Sequence, residues 1–319
     1  MRNLFTATAL LCLSMIIIGS ATAQSPIIID HTCTDYTQIP ESWIQTVKDN
    51  LLIGYGHTSH GSQLVTGMQA FEDTYGGIWD FDRATYGASP GIFLNDYWAP
   101  GDLGHNGSMT WRDETIAMLD DPANDRNVVM WSWCGGCSDN TPAGIDAYLN
   151  AMNNLEIAYL DVTFIYMTGH LDGTGDSGNL TERNDQIRAY CQANNKILFD
   201  FADIESHDPD ALANFMPMLC NDNCDYDGDG NGSRESNWAD NWLAAYPSAD
   251  LTTIEGNCGG CAHSQGLNCV MKGAATWWMF ARIAGWEGPE ATTDLPSTNV
   301  WGIALLIGLL TLVIGRFKV

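Results

Sequence analysis

The sequence predicts an α/β fold in which helices cover both faces of a parallel sheet. The first observation is that apolar runs of strand length alternate with segments of helical periodicity through the middle of the 319-residue chain. The second is that these runs are apolar throughout, without polar alternation, which is typical of strands buried on both faces of a parallel sheet. Strands and helices that alternate in this way indicate a doubly wound, three-layer α/β/α sandwich.

The predicted elements follow one another in a regular order. The first apolar run, residues 50–56, precedes a helical segment in which Leu64, Val65, Met68 and Phe71 share one face. Further strands are predicted at residues 127–133, 162–169 and 196–203. Helices are predicted at residues 62–75, 110–121, 141–160, 178–195 and 272–286, and the last of these closes the fold.

The N-terminal segment is predicted to be a secretory signal peptide that is absent from the mature protein. Residues 1–23 combine Arg2, an apolar stretch and an Ala-Thr-Ala cleavage site at residues 21–23, the pattern of a secretory signal peptide. The folded domain is therefore predicted to span residues 24–290, a length that suits one domain.

The C-terminal segment has three parts. Residues 291–299 form a polar linker with a short motif, and residues 300–319 form an apolar stretch with a basic tip that fits the positive-inside rule. This layout resembles the bacterial PEP-CTERM/IPTL sorting segments, with an LPxTG-type signal or a permanent membrane anchor as the alternatives. We expect a bacterial protein exported to the cell surface, outer membrane or periplasm, with membrane contact through this segment and a sorting protease as a partner.

The composition limits the partners of the domain. The chain has 39 Asp and Glu against 13 Lys and Arg, a net charge of −26. Such a surface repels a phosphate backbone, which excludes nucleic acid as a partner. Twelve Trp and eleven Tyr suggest aromatic surfaces of the kind on which sugars stack, although aromatic side chains also fill cores.

Proton-transfer groups concentrate directly after the first predicted strand. Residues 57–62 read His-Thr-Ser-His-Gly-Ser, and polar sequences also follow the later strands, at residues 134–140, 170–175 and 204–208. Ligands of a doubly wound sheet bind at the carboxyl ends of its strands. Ser59 is therefore a candidate nucleophile at that edge, while Ser62 is better placed to cap the following helix.

The order of these blocks resembles the SGNH/GDSL hydrolase superfamily over residues 48–286. The Gly-Asp-Ser block of that family corresponds to the sequence GHTS that ends at Ser59, and its second block, a Gly that heads a polar turn, corresponds to Gly107. Its last block, Asp-x-x-His, corresponds to His263 before the closing helix. The resemblance implies a flavodoxin-like sheet in which His263 activates Ser59, while the backbone amides of Ser59 and Gly107 stabilise an oxyanion.

The chain departs from the family pattern in its first and third blocks. The first block has one added residue and lacks the Asp. The third block, Gly-x-Asn-Asp, is replaced by the sequence CGGC at residues 134–137, so Asn106 or His170 would have to supply a side-chain oxyanion donor.

The last block also departs from the pattern, because Gly260 stands where the family has Asp. The acid that orients His263 would therefore be Asp203 or Glu255. His207 is a rival for the role of base.

The two CGGC motifs allow three interpretations. In an exported chain, Cys134, Cys137, Cys258 and Cys261 are expected to form structural disulfides, within each motif or between the two. The same four thiolates could bind zinc, and the first motif could form a redox pair. Nine cysteines remain after the signal peptide, an odd number, and Cys191 in a helical segment is predicted to be a buried free thiol.

An acidic segment before the last helix predicts a calcium-loop insertion. The segment at residues 224–236 carries the alternating side chains of an EF-hand-like loop, which are Asp225, Asp227, Asp229 and Asn231. The twelfth position holds Ser236 rather than Glu, so Asp240 would complete the ligand set. We expect a structural Ca²⁺ here; a solvated acidic turn is the alternative.

These expectations combine into one predicted function and two alternatives. The predicted function is a surface-associated serine esterase of SGNH type that removes acyl groups from a carbohydrate or another ester. The first alternative is a thiol-disulfide oxidoreductase that uses the CxxC motif. The second is a non-catalytic binding domain stabilised by calcium.

Overall fold

A computed structural model describes residues 25–83 and 92–289 of the chain. One sheet contains seven parallel strands in the order β1-β7-β6-β5-β2-β4-β3. These strands are β1 (Ile27–Ile29), β2 (Leu52–His57), β3 (Phe81–Asp82), β4 (Ile92–Pro100), β5 (Val128–Trp131), β6 (Thr163–Met167) and β7 (Ile197–Phe199). A short antiparallel hairpin, β8 (Asp225–Tyr226) and β9 (Ser236–Asn237), lies in the insertion before the last helix.

Nine α-helices accompany these strands in the described part of the chain. They are α1 (Glu41–Asn50), α2 (Ser62–Tyr75), α3 (Thr110–Leu119), α4 (Pro142–Ala158), α5 (Asn179–Ala193), α6 (Phe201–Glu205), α7 (Trp238–Ala245), α8 (Asp250–Glu255) and α9 (Gly266–Ile283). Helices α1 and α2 pack against α9 on one face, and α4 packs against α5 on the other.

This arrangement confirms the predicted three-layer α/β fold. The inner strands run β4-β2-β5-β6-β7, which is the flavodoxin-like order 2-1-3-4-5. The sequence did not predict the outer strands β1 and β3, nor β4. The strand order reverses between β2 and β5, and such a switch point leaves a crevice at the carboxyl ends of the two strands.

Helices α2 and α9 approach until their backbones touch. A Cβ atom on Gly67 would lie 1.8 Å from the carbonyl oxygen of Cys269, and one on Gly273 would lie 2.4 Å from the carbonyl carbon of Gly67. Only glycine fits at this crossing. The close approach brings the loop before α9 next to the turn between β2 and α2.

A fully buried ion pair links these elements. Lys272 on α9 and Glu205 at the end of α6 both have 0% exposure, and Lys272 Nζ lies 2.8 Å from Glu205 Oε1. Lys272 also donates to Gln63 Oε1 on α2, and Glu205 Oε2 accepts the backbone N–H of Leu171 at 2.7 Å. Asn268 Nδ2 donates to Glu205 Oε1 at 3.0 Å, so one carboxylate joins α9, α6 and the turn after β6.

The predicted terminal segments, the signal peptide at residues 1–23 and the linker and sorting segment at residues 291–319, lie outside the described residues. Within residues 25–83 and 92–289, no helix is long and apolar enough to cross a membrane.

We expect Lys272→Met to lower the free energy of unfolding by about 3–5 kcal/mol, because it leaves the Glu205 carboxylate buried without its counter-charge. Urea denaturation followed by circular dichroism measures this change.

Two further variants separate the charge effect from a loss of packing. Lys272→Met combined with Glu205→Gln removes both charges and should be more stable than Lys272→Met alone. Arg112→Met removes a cation whose pair with Asp113 is exposed, and it should cost no more than about 1 kcal/mol. An equal loss in Lys272→Met and Arg112→Met would contradict the central role of the buried pair.

Candidate active site

Polar side chains converge at the carboxyl ends of β2 and β5, at the point where the strand order reverses. Because parallel strands end at one edge of the sheet, segments that are far apart in the chain meet there. The contributing residues are Ser59 and His60 before α2, Cys134 after β5, His170 after β6, Asp222 in the insertion and His263 before α9.

Ser59 and His263, the residues that the sequence pairs, lie within hydrogen-bond distance. His263 Nε2 is 3.0 Å from Ser59 Oγ. Ser59 is half-buried and His263 is exposed, so the pair faces solvent. The catalytic role of the pair stays a prediction, but its geometry is that of a nucleophile and its base.

The loop that carries His263 is fixed on both sides. A disulfide joins Cys261 to Cys269, and Gln63 Nε2 on α2 donates to the carbonyl oxygen of Ala262 at 2.6 Å. His263 itself has φ of 60°, a left-handed conformation that is uncommon for residues other than glycine. The loop held in this way places the imidazole in contact with Ser59.

Cys134 is the second candidate nucleophile and contacts the first. Its Sγ lies 3.4 Å from Ser59 Oγ and 3.1 Å from His60 Nδ1. The hydrogen bond from His60, which outweighs burial, lowers the pKa of the Cys134 thiol to about 5, and bonds from Ser59, Thr58 and the backbone N–H of His60 add to it. Cys134 is thus a thiolate at neutral pH.

His60 bridges this thiolate and a carboxylate. Its Nε2 lies 3.0 Å from Asp222 Oδ2, while its Nδ1 faces Cys134. Burial lowers the pKa of His60, but the bonds to Asp222 and Cys134 overcome this and raise it to about 9. Burial raises the pKa of Asp222, yet the bond from His60 leaves it below its usual value. The three side chains form a thiolate–imidazolium–carboxylate series.

The ring of His60 lies between two other imidazoles. Its centroid is 3.6 Å from that of His170 with an interplanar angle of 2°, and 4.4 Å from that of His263 at 14°. Burial and the charge of His60 lower the pKa of His170, and His170 Nδ1 lies 2.9 Å from the carbonyl oxygen of Leu171. A neutral His170 donates to that carbonyl and covers one face of the charged ring.

The structure places Gly107 against α4, and its oxyanion role stays a prediction. Its φ is 77°, and a Cβ there would meet Gly144 Cα on α4 at 3.4 Å. The turn at residues 105–107 packs on α4, so it faces the helical layer. The backbone amide of His60 faces the Cys134 thiol and helps to lower its pKa.

The orienting role that the sequence assigns to Asp203 is wrong. Its Oδ2 lies 2.6 Å from His31 Nδ1, beside the end of β1, and its backbone carbonyl is 2.8 Å from His207 Nδ1. Strands β6 and β5 separate this place from β2 in the sheet. Asp203 and the rival base His207 therefore lie away from His263, and Asp222 is the site carboxylate that sequence reasoning missed.

The predicted disulfides within and between the CGGC motifs are also wrong. Cys261 pairs with Cys269, and Cys134, Cys137 and Cys258 are free thiols. The thiol of Cys137 is buried and lies 3.3 Å from Asn184 Oδ1, and burial raises its pKa to about 12. Three of the four cysteines proposed as zinc ligands have other partners: Cys134 contacts His60, Cys137 contacts Asn184, and Cys261 is in a disulfide. Cys191 is a buried free thiol, as predicted.

The acidic side chains that lie close together in the insertion are not the set that the sequence predicts. Asp225 lies in the hairpin, where its carboxylate accepts from Asn237 and Asn223 at 2.8 and 2.9 Å. Carboxylate oxygens of Asp227, Asp229 and Glu235 lie within 4.8 Å of one another. The candidate cation ligands therefore start two residues later in the chain.

Other loop contacts support this shifted ligand set. Asp227 accepts the backbone N–H groups of Gly230 and Gly232, each at 2.7 Å, which closes the loop. Asn231 Oδ1 accepts the N–H of Ser233 at 2.8 Å. Calcium binding stays a prediction.

We expect added Ca²⁺ to raise the melting temperature of the protein and a chelator to lower it, because the ion neutralises three neighbouring carboxylates and binds only the folded loop. Asp229→Asn should weaken this response, whereas Asp225→Asn should keep it, since Asp225 bonds within the hairpin. Differential scanning fluorimetry across a calcium titration measures both. A melting temperature that does not depend on calcium would contradict the site.

Searches against models of known protein families, curated proteins and solved structures found no match to the chain.

Proposed function

We propose that the protein is an acyl hydrolase that cleaves carboxylic esters through a covalent intermediate at this site. The observation that supports it is the 3.0 Å contact between Ser59 Oγ and His263 Nε2 at the carboxyl end of β2. A serine hydroxyl is a weak nucleophile at neutral pH, and a histidine in hydrogen-bond contact is the usual means of activating it.

The proposed reaction follows from these two groups. His263 Nε2 takes the hydroxyl proton as Ser59 Oγ attacks the carbonyl carbon, and the imidazolium then protonates the departing alcohol. Water attacks the acyl-serine in the second half, with His263 again accepting a proton. The acid is released and both side chains return to their starting state.

His263 is held without the carboxylate of a conventional triad. Among the described residues, it makes no hydrogen bond to Asp or Glu; its contacts are Ser59 and the ring of His60. The closed loop between Cys261 and Cys269 fixes its backbone. We propose that ring stacking and backbone strain take over the orienting role.

The tryptophans do not support a sugar-binding surface. Nine of the twelve Trp side chains are buried, namely Trp79, Trp111, Trp131, Trp133, Trp238, Trp242, Trp277, Trp278 and Trp286. The proposed substrate class is therefore a carboxylic ester in general, of which an acylated glycan is one member. The signal peptide and sorting segment would place this activity outside the cell.

The oxidoreductase alternative receives less support from the geometry. Cys134 has the thiolate that such an enzyme needs, but the thiol of Cys137 lies beneath the turn against Asn184. A catalytic disulfide would require Cys137 to leave that contact.

We expect Ser59→Ala to reduce hydrolysis of 4-nitrophenyl acetate at least about 100-fold, because the variant lacks the attacking oxygen. The melting temperature should change little, since the Ser59 side chain is half-buried and lines the crevice. Release of 4-nitrophenolate, corrected for spontaneous hydrolysis, measures the rate; an acetylated xylan tests the glycan member of the class.

Ser62→Ala is the matched control, because Ser62 Oγ bonds to the carbonyl oxygen of Ser59 in the same turn but does not face His263. It should retain most of the activity. Wild-type protein with no activity above background on any ester would instead favour the binding-domain alternative.

A further inference from the structure

We propose that Cys134 is a second nucleophile of the site, activated by His60 and Asp222, and that it takes the acyl group of thioesters to form an acyl-cysteine. The inference rests on the proposed function for the reaction class, acyl transfer. It differs from that function in its nucleophile, its base and its preferred leaving group.

Cys134, His60 and Asp222 form a continuous series of hydrogen-bond contacts. Cys134 Sγ lies 3.1 Å from His60 Nδ1, and His60 Nε2 lies 3.0 Å from Asp222 Oδ2. His60 therefore has one nitrogen on the nucleophile and the other on a carboxylate, the arrangement that fixes the orientation of a catalytic imidazole. His263, the base of Ser59, has no such carboxylate within the described chain.

Burial distinguishes the nucleophile from its partner. His60 is 6% exposed, whereas Cys134 is half-buried and keeps part of its surface accessible. Asp222 is also only half-buried, so it stays ionised beside His60. A shielded base beside an accessible sulfur is the environment in which reactive cysteines occur.

The charged groups around the sulfur act in both directions, and the contact with His60 outweighs the repulsion from Asp102. His60 supplies the positive charge, and Asp102 accepts the backbone N–H of Cys134. Burial and the charge of Cys134 raise the pKa of Asp102, so this carboxylate is more easily protonated than usual. His105 carries a raised pKa through its bond to Asp139, and its cationic form interacts with Cys134 only through charge.

The remaining titratable neighbours act on the base. Glu205 raises the pKa of His60, and Asp222 does so through its hydrogen bond. His170, whose pKa is lowered by burial, stays neutral on one face of His60. The ion pair of Cys134 and His60 thus persists from about pH 5, the pKa of the thiol, to about pH 9, the pKa of the imidazolium.

The reaction balances with these groups alone. The thiolate of Cys134 attacks the acyl carbon, a new C–S bond forms, and the bond to the leaving thiol breaks as the His60 imidazolium gives that thiol a proton. Neutral His60 next takes a proton from water, and the hydroxide oxygen attacks the acyl-cysteine. The carboxylic acid leaves, and the thiolate and imidazolium are restored.

The first test measures the thiolate directly by alkylation with iodoacetamide at pH 4–10, followed by peptide mass spectrometry. All proteins in this test carry Cys258→Ser, which removes the other half-buried free thiol. We expect Cys134 to alkylate with a midpoint near pH 5. His60→Ala should move the midpoint to the ordinary thiol range, about 8.5, and Asp222→Asn should move it part of the way. A midpoint near 8.5 before His60 is changed would overturn the proposal.

The second test follows acyl transfer from phenyl thioacetate. We expect Ser59→Ala to release thiophenol in a burst and to carry an acetyl group on the peptide that contains Cys134. Cys134→Ala should lose the burst. Asp222→Asn should shift the acid limb of the pH profile of thiophenol release to higher pH. Acetyl found only on Ser59, with an undiminished burst in Cys134→Ala, would overturn the inference.

These outcomes separate the inference from the proposed function. Ester hydrolysis that survives Ser59→Ala but fails in Cys134→Ala would contradict the serine mechanism and support the cysteine one. Ester hydrolysis that depends on Ser59, together with a Cys134 thiol of ordinary pKa, would support the serine mechanism and contradict the cysteine one.

Discussion

The buried ion pair between Lys272 and Glu205 is the interaction on which the rest of the structure depends. Burying two charges is expensive, and replacing such pairs with apolar residues can leave stability unchanged. The main effect of this pair is therefore to position the groups around it. Glu205 holds the amide of Leu171, next to His170, and Lys272 holds Gln63, which binds the loop of His263 through Ala262. One buried contact thus sets the positions of two of the three stacked imidazoles.

The site combines two nucleophile–base pairs around one imidazole stack. His60 lies in the middle, with its charge balanced by Asp222 and the Cys134 thiolate. Its positive charge disfavours protonation of its neighbour His170. His60 and His170 therefore have opposite electrostatic behaviour, although they are the same residue type.

The topology explains why these groups meet. In a doubly wound sheet, the crevice at the switch point is the place where loops from several strands can converge without blocking one another. Here β2 and β5 supply the nucleophiles, while β6 and the insertion supply the groups that surround His60. The fold alone does not specify a reaction, so the chemistry of this protein depends on these contacts.

The sequence alone determined the parallel sheet, the position of Ser59 at a strand end and the position of His263 before the last helix. These features depend on local periodicity and on strand ends, which neighbouring residues encode. Only the tertiary structure decided the partners of the side chains. His60 meets Asp222 across 162 residues, Cys261 pairs with Cys269 instead of a CGGC partner, and Asp203 bonds to His31. Contacts of this kind depend on how the insertion and the final helix pack, and a short stretch of sequence does not determine that packing.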